Sequence, residues 1–429
     1  MRILYSLMWW LALPLVLARL WLRGRQEPAY RRHWGERLGL YGGGARGAAP
    51  TLWVHAVSVG ETRAAEPLIE LLLLSYPDCR IVLTHMTPTG RAAGAALFGK
   101  HGARLIQSYL PYDTGTMTGR FIAHFAPRIC ILMETEVWPN LIAACGKRGV
   151  PVALVNARLS PRSLGKAQRF GKLMLDAARG IALVAAQTEA DAARVRTLGV
   201  ARVVVTGSIK FDVPVPPAAL QVGAGLRQRI GARPVLLCAS TREGEEELIL
   251  DAFMRADLPA DTLLLLVPRH PQRFNGVASL VAERGLALQR RSQLGTEECA
   301  MPAEVRVLLG DSMGEMFAYY AACDCAFIGG SLLPLGGQNL IEACALGKPV
   351  LTGPHTFNFA LVTEDALAAG AALLVADADA LMRQAALLLG DGARLAAMGA
   401  QALAFAAQHR GATPRTLASL APLLRASGK

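Results

Sequence analysis

The sequence predicts two α/β domains, each built on a doubly wound parallel sheet, behind an N-terminal apolar helix. Three observations carry this. Short β-branched runs alternate with alanine-rich stretches of helical length through nearly the whole chain, the pattern of parallel strands joined by crossover helices. The run Val213-Pro214-Val215-Pro216-Pro217 interrupts that alternation, and the alternation then restarts. A chain of 429 residues also exceeds what one ordinary core buries.

Taken in order, the strands expected in the first half are Thr51–Val57, Arg80–Met86, Arg128–Met133, Pro151–Asn156 and Arg202–Thr206. Helices are expected over Thr62–Ser75, from Arg91, and over Trp138–Lys147. After the prolines come Pro234–Ala239, Thr262–Pro268, Val305–Leu309, Cys325–Ile328 and Pro349–Leu351. The alanine- and leucine-rich last fifty residues read as helices. The reading therefore divides the chain into an anchor over 1–22, a first domain over 23–212, a linker over 213–217 and a second domain over 218–429. Ligands of such sheets bind beyond the carboxyl ends of the strands, so two facing domains imply a cleft between them.

Ile3 to Ala18 carries no charge, and Leu20, Trp21 and Leu22 extend the apolar stretch past Arg19. Arginines stand where small residues would mark a signal-peptide cleavage site, which favours an anchor that either spans or lies in the membrane interface. The arginines that follow place the rest of the chain in the cytoplasm. The net charge is +12, and half of it lies in the first fifty residues. There Arg2, Arg19, Arg23, Arg25, Arg31, Arg32, Arg37 and Arg46 face only Glu27 and Glu36. A basic block beside an apolar segment points to an anionic membrane or lipid, not to nucleic acid, since no DNA-binding motif accompanies it. The eight cysteines are scattered without CxxC or zinc spacing and read as buried free thiols.

The residues able to do chemistry fall just after strands. Ser58-Val59-Gly60-Glu61 follows the first strand; Glu61 can serve as a reacting carboxylate or merely complement a helix dipole. Met133-Glu134-Thr135-Glu136-Val137-Trp138-Pro139-Asn140 places two carboxylates at another strand end. Thr206-Gly207-Ser208-Ile209-Lys210-Phe211-Asp212 puts a lysine before the linker. In the second domain, Val267-Pro268-Arg269-His270-Pro271 holds an arginine suited to phosphate or carboxylate. Gly310-Asp311-Ser312-Met313-Gly314-Glu315-Met316 opens a helix whose amides suit an anion. Gly329-Gly330-Ser331 and Gly336-Gly337-Gln338-Asn339-Leu340-Ile341-Glu342-Ala343 run from a glycine-rich loop into a helix, with Asn339 and Glu342 on one face near its start. Together these suggest a nucleotide subsite. The Walker A and GxGxxG spacings are absent, which argues against a triphosphatase or a dehydrogenase.

These residues resemble a known family. The runs Trp53–Thr62, Met86–Gly90, Leu110–Asp113, METEVWPN, Asn156–Ser160, TGSIKFD, VPRHPQRF, GDSMGEM and GGQNLIEA are similar, in order, to the 3-deoxy-manno-octulosonate (Kdo) transferases. Trp34–Gly39 looks like that family's membrane-proximal segment. The resemblance implies a GT-B fold and metal-independent, inverting transfer of Kdo from CMP-Kdo to lipid IVA, the lipid A precursor, at the cytoplasmic face of the inner membrane, with no cofactor. It implies that Glu61 is the general base and that Glu134 and Lys210 stabilise the transition state. It also implies that Pro268, Arg269, Met313, Gly314, Glu315, Asn339, Leu340, Ile341 and Glu342 bind CMP. The sequence departs from the family at Gln338 and Arg242, where histidine is common. Rival readings are a UDP-sugar transferase or epimerase on the same scaffold, and a non-catalytic membrane-surface protein; retention of Glu61, Glu134 and Lys210 argues against the last.

Overall fold

Two parallel sheets of seven strands organise the chain. The computed structural model describes residues 1–42, 49–169, 171–212, 214–295 and 299–426, so Arg46 and Val213 lie outside the described residues. The first sheet contains β1 (Thr51–His55), β2 (Arg80–His85), β3 (Leu105–Tyr109), β4 (Pro127–Met133), β5 (Val152–Ala157), β6 (Leu183–Ala186) and β7 (Val203–Val205). Their order is β3-β2-β1-β4-β5-β6-β7. The chain starts in the middle at β1, runs outward to β3, then crosses back to β4 on the other side. The order therefore reverses between β1 and β4, the place where ligands bind in such sheets. All five residues of β1 are buried, as expected of a central strand covered on both faces. Leu52, Val54 and Ile131 pack into one layer with Leu68 and Leu72, while Trp53, Cys130 and Leu132 pack into the other with Phe121 and Leu141.

The second sheet repeats the plan. It contains β8 (Val235–Thr241), β9 (Leu263–Pro268), β10 (Leu288–Arg290), β11 (Val307–Leu309), β12 (Cys325–Ile328), β13 (Val350–Thr352) and β14 (Ala372–Leu374), in the order β10-β11-β9-β8-β12-β13-β14. Here the reversal falls between β8 and β12. The strands β3, β6, β10 and β14 are absent from the sequence reading. Three of them are sheet edges, half-exposed and interrupted by polar or small residues, so their apolar signal is weak. The fourth, β6, is Leu-Val-Ala-Ala, whose alanines read as helix.

The expected domain boundaries need one correction. The compact units are Met1–Val213 with Arg410–Lys429, and Pro214–His409, so the last helix belongs to the first unit, not to a second domain over 218–429. Asp212 fixes it there. Its carboxylate accepts the backbone N–H of Gly411 at 2.6 Å and of Thr413 at 2.5 Å, while Arg415 donates to the Thr206 carbonyl at 2.9 Å. Leu420 and Leu424 then complete the core around Leu68 and Leu72. Composition announces such a helix but not the surface it docks on. The linker is also shorter at its end than 213–217, because Pro217 already opens the helix Pro217–Ile230.

The N-terminal helix runs Arg2–Gln26, beyond the expected 1–22. Over Arg2–Arg25 it is long and apolar enough to cross a membrane. One stripe rests on the first unit: Trp9 stacks on Tyr112 with ring centroids 5.7 Å apart, and Leu13, Val16, Leu17 and Leu20 cluster with Tyr112 and Met117. The opposite stripe of Ile3, Leu4, Leu7, Leu11, Leu15 and Leu22 is bare. Arg37, counted in the basic block, points inward. Its guanidinium lies 3.8 Å from the Tyr109 ring centre and donates to the Met86 carbonyl at 3.0 Å. Seven of the eight cysteines are buried free thiols, and Cys299 is exposed.

Candidate active site

In the first unit the switch point places the ends of β1 and β4 side by side. After β1 the chain turns at Ser58, which caps the helix Val59–Ser75. Glu61 closes this turn with its carboxylate: the Val57 N–H donates to Oε2 at 2.9 Å and the Ser58 hydroxyl to Oε1 at 3.2 Å. This is a helix-capping arrangement, so Glu61 has the local structural role weighed in the sequence. It also has an electrostatic peculiarity that a cap does not need. Burial, reinforced by Glu136 and Glu134 and opposed by the Val57 N–H and the Ser58 hydroxyl, brings its carboxyl up to about 7. Three acidic side chains therefore share one neighbourhood, and Glu61 exchanges its proton near neutral pH. An added Cβ at Gly60 would meet only Ser58 Oγ at 3.9 Å, so the approach beside Glu61 is open.

Glu134 follows β4 with φ 56°, and Asn156 is the second-last residue of β5 with φ 53°. Left-handed backbone at a non-glycine residue costs on the order of 1–3 kcal/mol, and here two neighbouring strand ends carry it. Their side chains converge on one short turn. Asn156 Oδ1 accepts the Ile209 N–H at 3.2 Å, which orients the turn Ile209–Asp212. Lys210, next in that turn, brings Nζ to 2.7 Å from Glu134 Oε1. The motifs METEVWPN, NARLS and TGSIKFD, dispersed in sequence, thus meet at one place. Glu136 is held above the usual carboxylate range by burial, with the Trp138 indole opposing and Glu134 reinforcing.

The second unit gathers a cationic and glycine-rich cluster at the ends of β8, β9 and β12. Pro268 ends β9 and is buried, and the next residue, Arg269, is tied by its N–H to the Thr241 carbonyl at 2.9 Å. His270 is held below its ordinary value by burial and by Arg242 and Arg269, so a neutral imidazole lies near two guanidinium groups. Buried Tyr320 is pushed well up by burial; Glu342 adds to the shift and Arg269 opposes it. Asn339 differs from the sequence reading. It lies two residues before the helix Ile341–Ala345, accepts the Ile341 N–H at 3.1 Å, and donates to Glu342 Oε1 at 3.3 Å. Leu340 and Ile341 are core side chains, so only their backbones can face a ligand. Met313 and Gly314 lie in an exposed turn before the helix Met316–Ala322. Glu315 is engaged by Arg291 at 2.8 Å and by the Ser312 hydroxyl.

Glu245 is the residue that sequence reasoning passed over. Fully buried, it bridges the β8–β12 switch point with one carboxylate. Oε2 accepts the N–H of Gly330 at 2.6 Å and of Arg242 at 2.9 Å, and Oε1 accepts that of Leu332 at 3.0 Å. Gly330, whose N–H it accepts, and the preceding Gly329 both exclude a side chain, one by backbone conformation and the other by space. A Cβ at Gly329 would lie 2.6 Å from Ser240 O, and Gly330 has φ 70°. The available signal was an acid right after a strand-end glycine, which reads equally well as a helix N-terminal charge.

The chain is similar to known proteins over nearly its whole length. Residues 32–213 match the family model described as 3-Deoxy-D-manno-octulosonic-acid transferase (kdotransferase). The chain is 47% identical over 418 residues to the 3-deoxy-D-manno-octulosonic acid transferase of Bordetella pertussis, covering 95% of this chain and 96% of that one. It is 39% identical over 433 residues to the enzyme of the same name from Haemophilus influenzae, covering 99% of each. In fold it resembles UDP-GlcNAc 2-epimerase from Neisseria meningitidis, with a TM-score of 0.59 at 15% identity over 87% of this chain and 100% of that one.

Proposed function

The chain belongs to the 3-deoxy-D-manno-octulosonic acid (Kdo) transferase family, and from that premise we propose that it transfers Kdo from CMP-Kdo to lipid IVA with inversion and releases CMP. The observation that carries the mechanism is Glu61, a carboxyl brought to about 7 at an open position beyond β1. A base of that strength takes the acceptor hydroxyl's proton as attack proceeds, a contribution of roughly 10²–10⁴-fold. The anomeric carbon passes through an oxocarbenium-like transition state, and Glu134, aligned by Lys210, faces that developing positive charge. The donor is held by Arg269, with Arg242 and His270 beside it, and by the Asn339–Glu342 segment. The leaving group is a nucleoside monophosphate, so this cationic cluster and the backbone N–H groups of the Met313–Glu315 turn replace a metal. Gln338 and Arg242 stand where the family commonly has histidine; Arg242 keeps a cation at its position.

The N-terminal helix attaches the enzyme to the inner membrane, with both units on the cytoplasmic side. Packing along one stripe of that helix, from Trp9 to Leu20, supports attachment in the membrane interface, where the bare stripe meets lipid.

The test is one incubation of the purified chain with CMP-Kdo and tetraacylated lipid A precursor, read by mass spectrometry. The reading expects acceptor heavier by one or more Kdo residues together with free CMP. Unchanged acceptor, with transfer from a UDP-sugar instead, contradicts it.

A further inference from the structure

A cavity of about 340 Å³ opens on the first unit, and neither Glu61 nor Glu134 is among the residues that line it. Its walls are the helices Gly115–Phe125 and Pro139–Gly146, and its rim is Arg2, Arg120, Lys147 and Arg148. Among the described residues no carboxylate lines it. None of the four cations has an ion-pair partner among the described residues, whereas Arg91, Arg227, Arg284 and Arg291 each hold a carboxylate. Four like charges around one hollow repel each other, and an anion relieves that repulsion. The hollow is roomy because the wall residues are small: Gly119 is crossed by the Arg148 guanidinium, with Nη1 and Nη2 each 3.7 Å from where a Cβ would stand. Gly115 and Thr116, at the positive end of an eleven-residue helix, also line it.

Position decides which anion. Arg2 is the first residue of the apolar N-terminal helix, and the bare stripe begins at the next residue, Ile3. A lipid seated with its phosphate among Arg2, Arg120, Lys147 and Arg148 would lay its chains along Ile3, Leu4 and Leu7. We propose that this cavity is a binding site for the phosphate of an anionic membrane phospholipid, distinct from the place where the acceptor reacts. The proposal rests on the membrane-interface reading of the helix. It adds a specific headgroup site to what would otherwise be diffuse attraction.

The test compares vesicle binding of three full-length proteins: the unaltered chain, the cavity variant Arg120→Gln/Lys147→Gln/Arg148→Gln, and a control with the same charge removed elsewhere on the unit, Lys172→Gln/Arg179→Gln/Arg202→Gln. Vesicles are phosphatidylcholine with or without phosphatidylglycerol. With roughly a factor of five per cation at a lipid surface, the cavity variant should lose about a hundredfold in affinity for the phosphatidylglycerol vesicles. The control should lose several-fold less, and binding to pure phosphatidylcholine should be unchanged in all three. Transfer to detergent-dispersed acceptor should be retained. Equal losses in cavity and control variants overturn the site, leaving only diffuse charge. A raised acceptor KM in the cavity variant overturns the lipid assignment in favour of an acceptor phosphate. Complete competition by millimolar inorganic phosphate overturns it in favour of the free ion. If the unaltered chain itself fails to bind any vesicle, the membrane reading fails and the site with it; if it binds and the cavity variant binds equally well, only the site fails.

Discussion

Lys210 Nζ lies 2.7 Å from Glu134 Oε1, joining the last turn before the linker to a strand end on the other side of β5 and β6. The pair is partly buried, and Glu134 holds it from a left-handed backbone position. Conformational strain, an ion pair and a neighbouring acid at Glu61 thus coincide at the sheet's switch point. Such coincidences are characteristic of sites where stability is given up for chemistry.

The pair should act as a unit. Lys210→Ala and Glu134→Gln should each lower kcat by one to three orders of magnitude, and the double variant should lose much less than the product of the two. A double-mutant cycle on kcat should give a coupling of about 1–3 kcal/mol. Additive losses would mean that the two side chains serve separate steps.

Donor binding should be separable from chemistry. Arg269→Ala removes a charge-assisted contact worth about 1.5–3 kcal/mol, so the KM for CMP-Kdo should rise roughly 10- to 150-fold. Glu342→Ala should move the same constant in the same direction. Equilibrium binding of CMP by calorimetry checks both; unchanged affinity in both variants would remove these residues from the donor site.

Glu245 should position the glycine loop without touching substrate. Glu245→Gln can still accept N–H bonds at one oxygen but not at both, so one of the three backbone donors loses its partner. The KM for CMP-Kdo should rise about tenfold with kcat nearly kept, whereas Glu245→Ala should lower Tm by several degrees as well. A Glu245→Gln protein with unchanged KM would make the residue purely a folding element.

Acid should unfold the first unit through its buried histidines. Burial, reinforced by His85, lowers His55 to about 3, and burial lowers His85 itself to about 4. Both folded values lie below the ordinary 6.5, so the neutral rings stabilise the fold above that pH. The stability is lost as pH falls toward 4 and 3. Thermal unfolding followed from pH 7 to pH 4 should show Tm falling, and His85→Gln should flatten the fall. A Tm independent of pH over that range contradicts the buried neutral histidines.

Much of this was legible in the sequence because the strand-end motifs sit where a parallel sheet needs them. The central strands are continuous apolar runs, and each is followed by residues such as Glu61, Glu134 and Arg269 that have no business in a core. The sequence was mute where the physics is long-range. Nothing in the pattern of Ala412–Ala426 says that Asp212 anchors its start, since that contact spans almost two hundred positions. Edge strands such as Leu288–Arg290 lose their signature because only one neighbour pairs with them. Glu245 escaped because a buried carboxylate satisfied by three backbone N–H groups leaves no charged partner to find.

The most direct measurement of the central claim is the pH dependence of kcat for Glu61→Gln against the unaltered enzyme. Glutamine keeps an acceptor for the Val57 N–H, so the capping role is partly retained and the protein should fold and bind CMP almost normally. A raised folded pKa gives stability at low pH that is lost as pH rises through about 7, so the variant should, if anything, melt higher than the unaltered enzyme in alkali. In the unaltered enzyme kcat should rise with pH through an acidic limb near 7, as Glu61 loses its proton. The variant should lose roughly two to four orders of magnitude and the limb with it. A folded Glu61→Gln protein that turns over at a near-native rate with the acidic limb intact would contradict the account and move the base to Glu134 or Glu136.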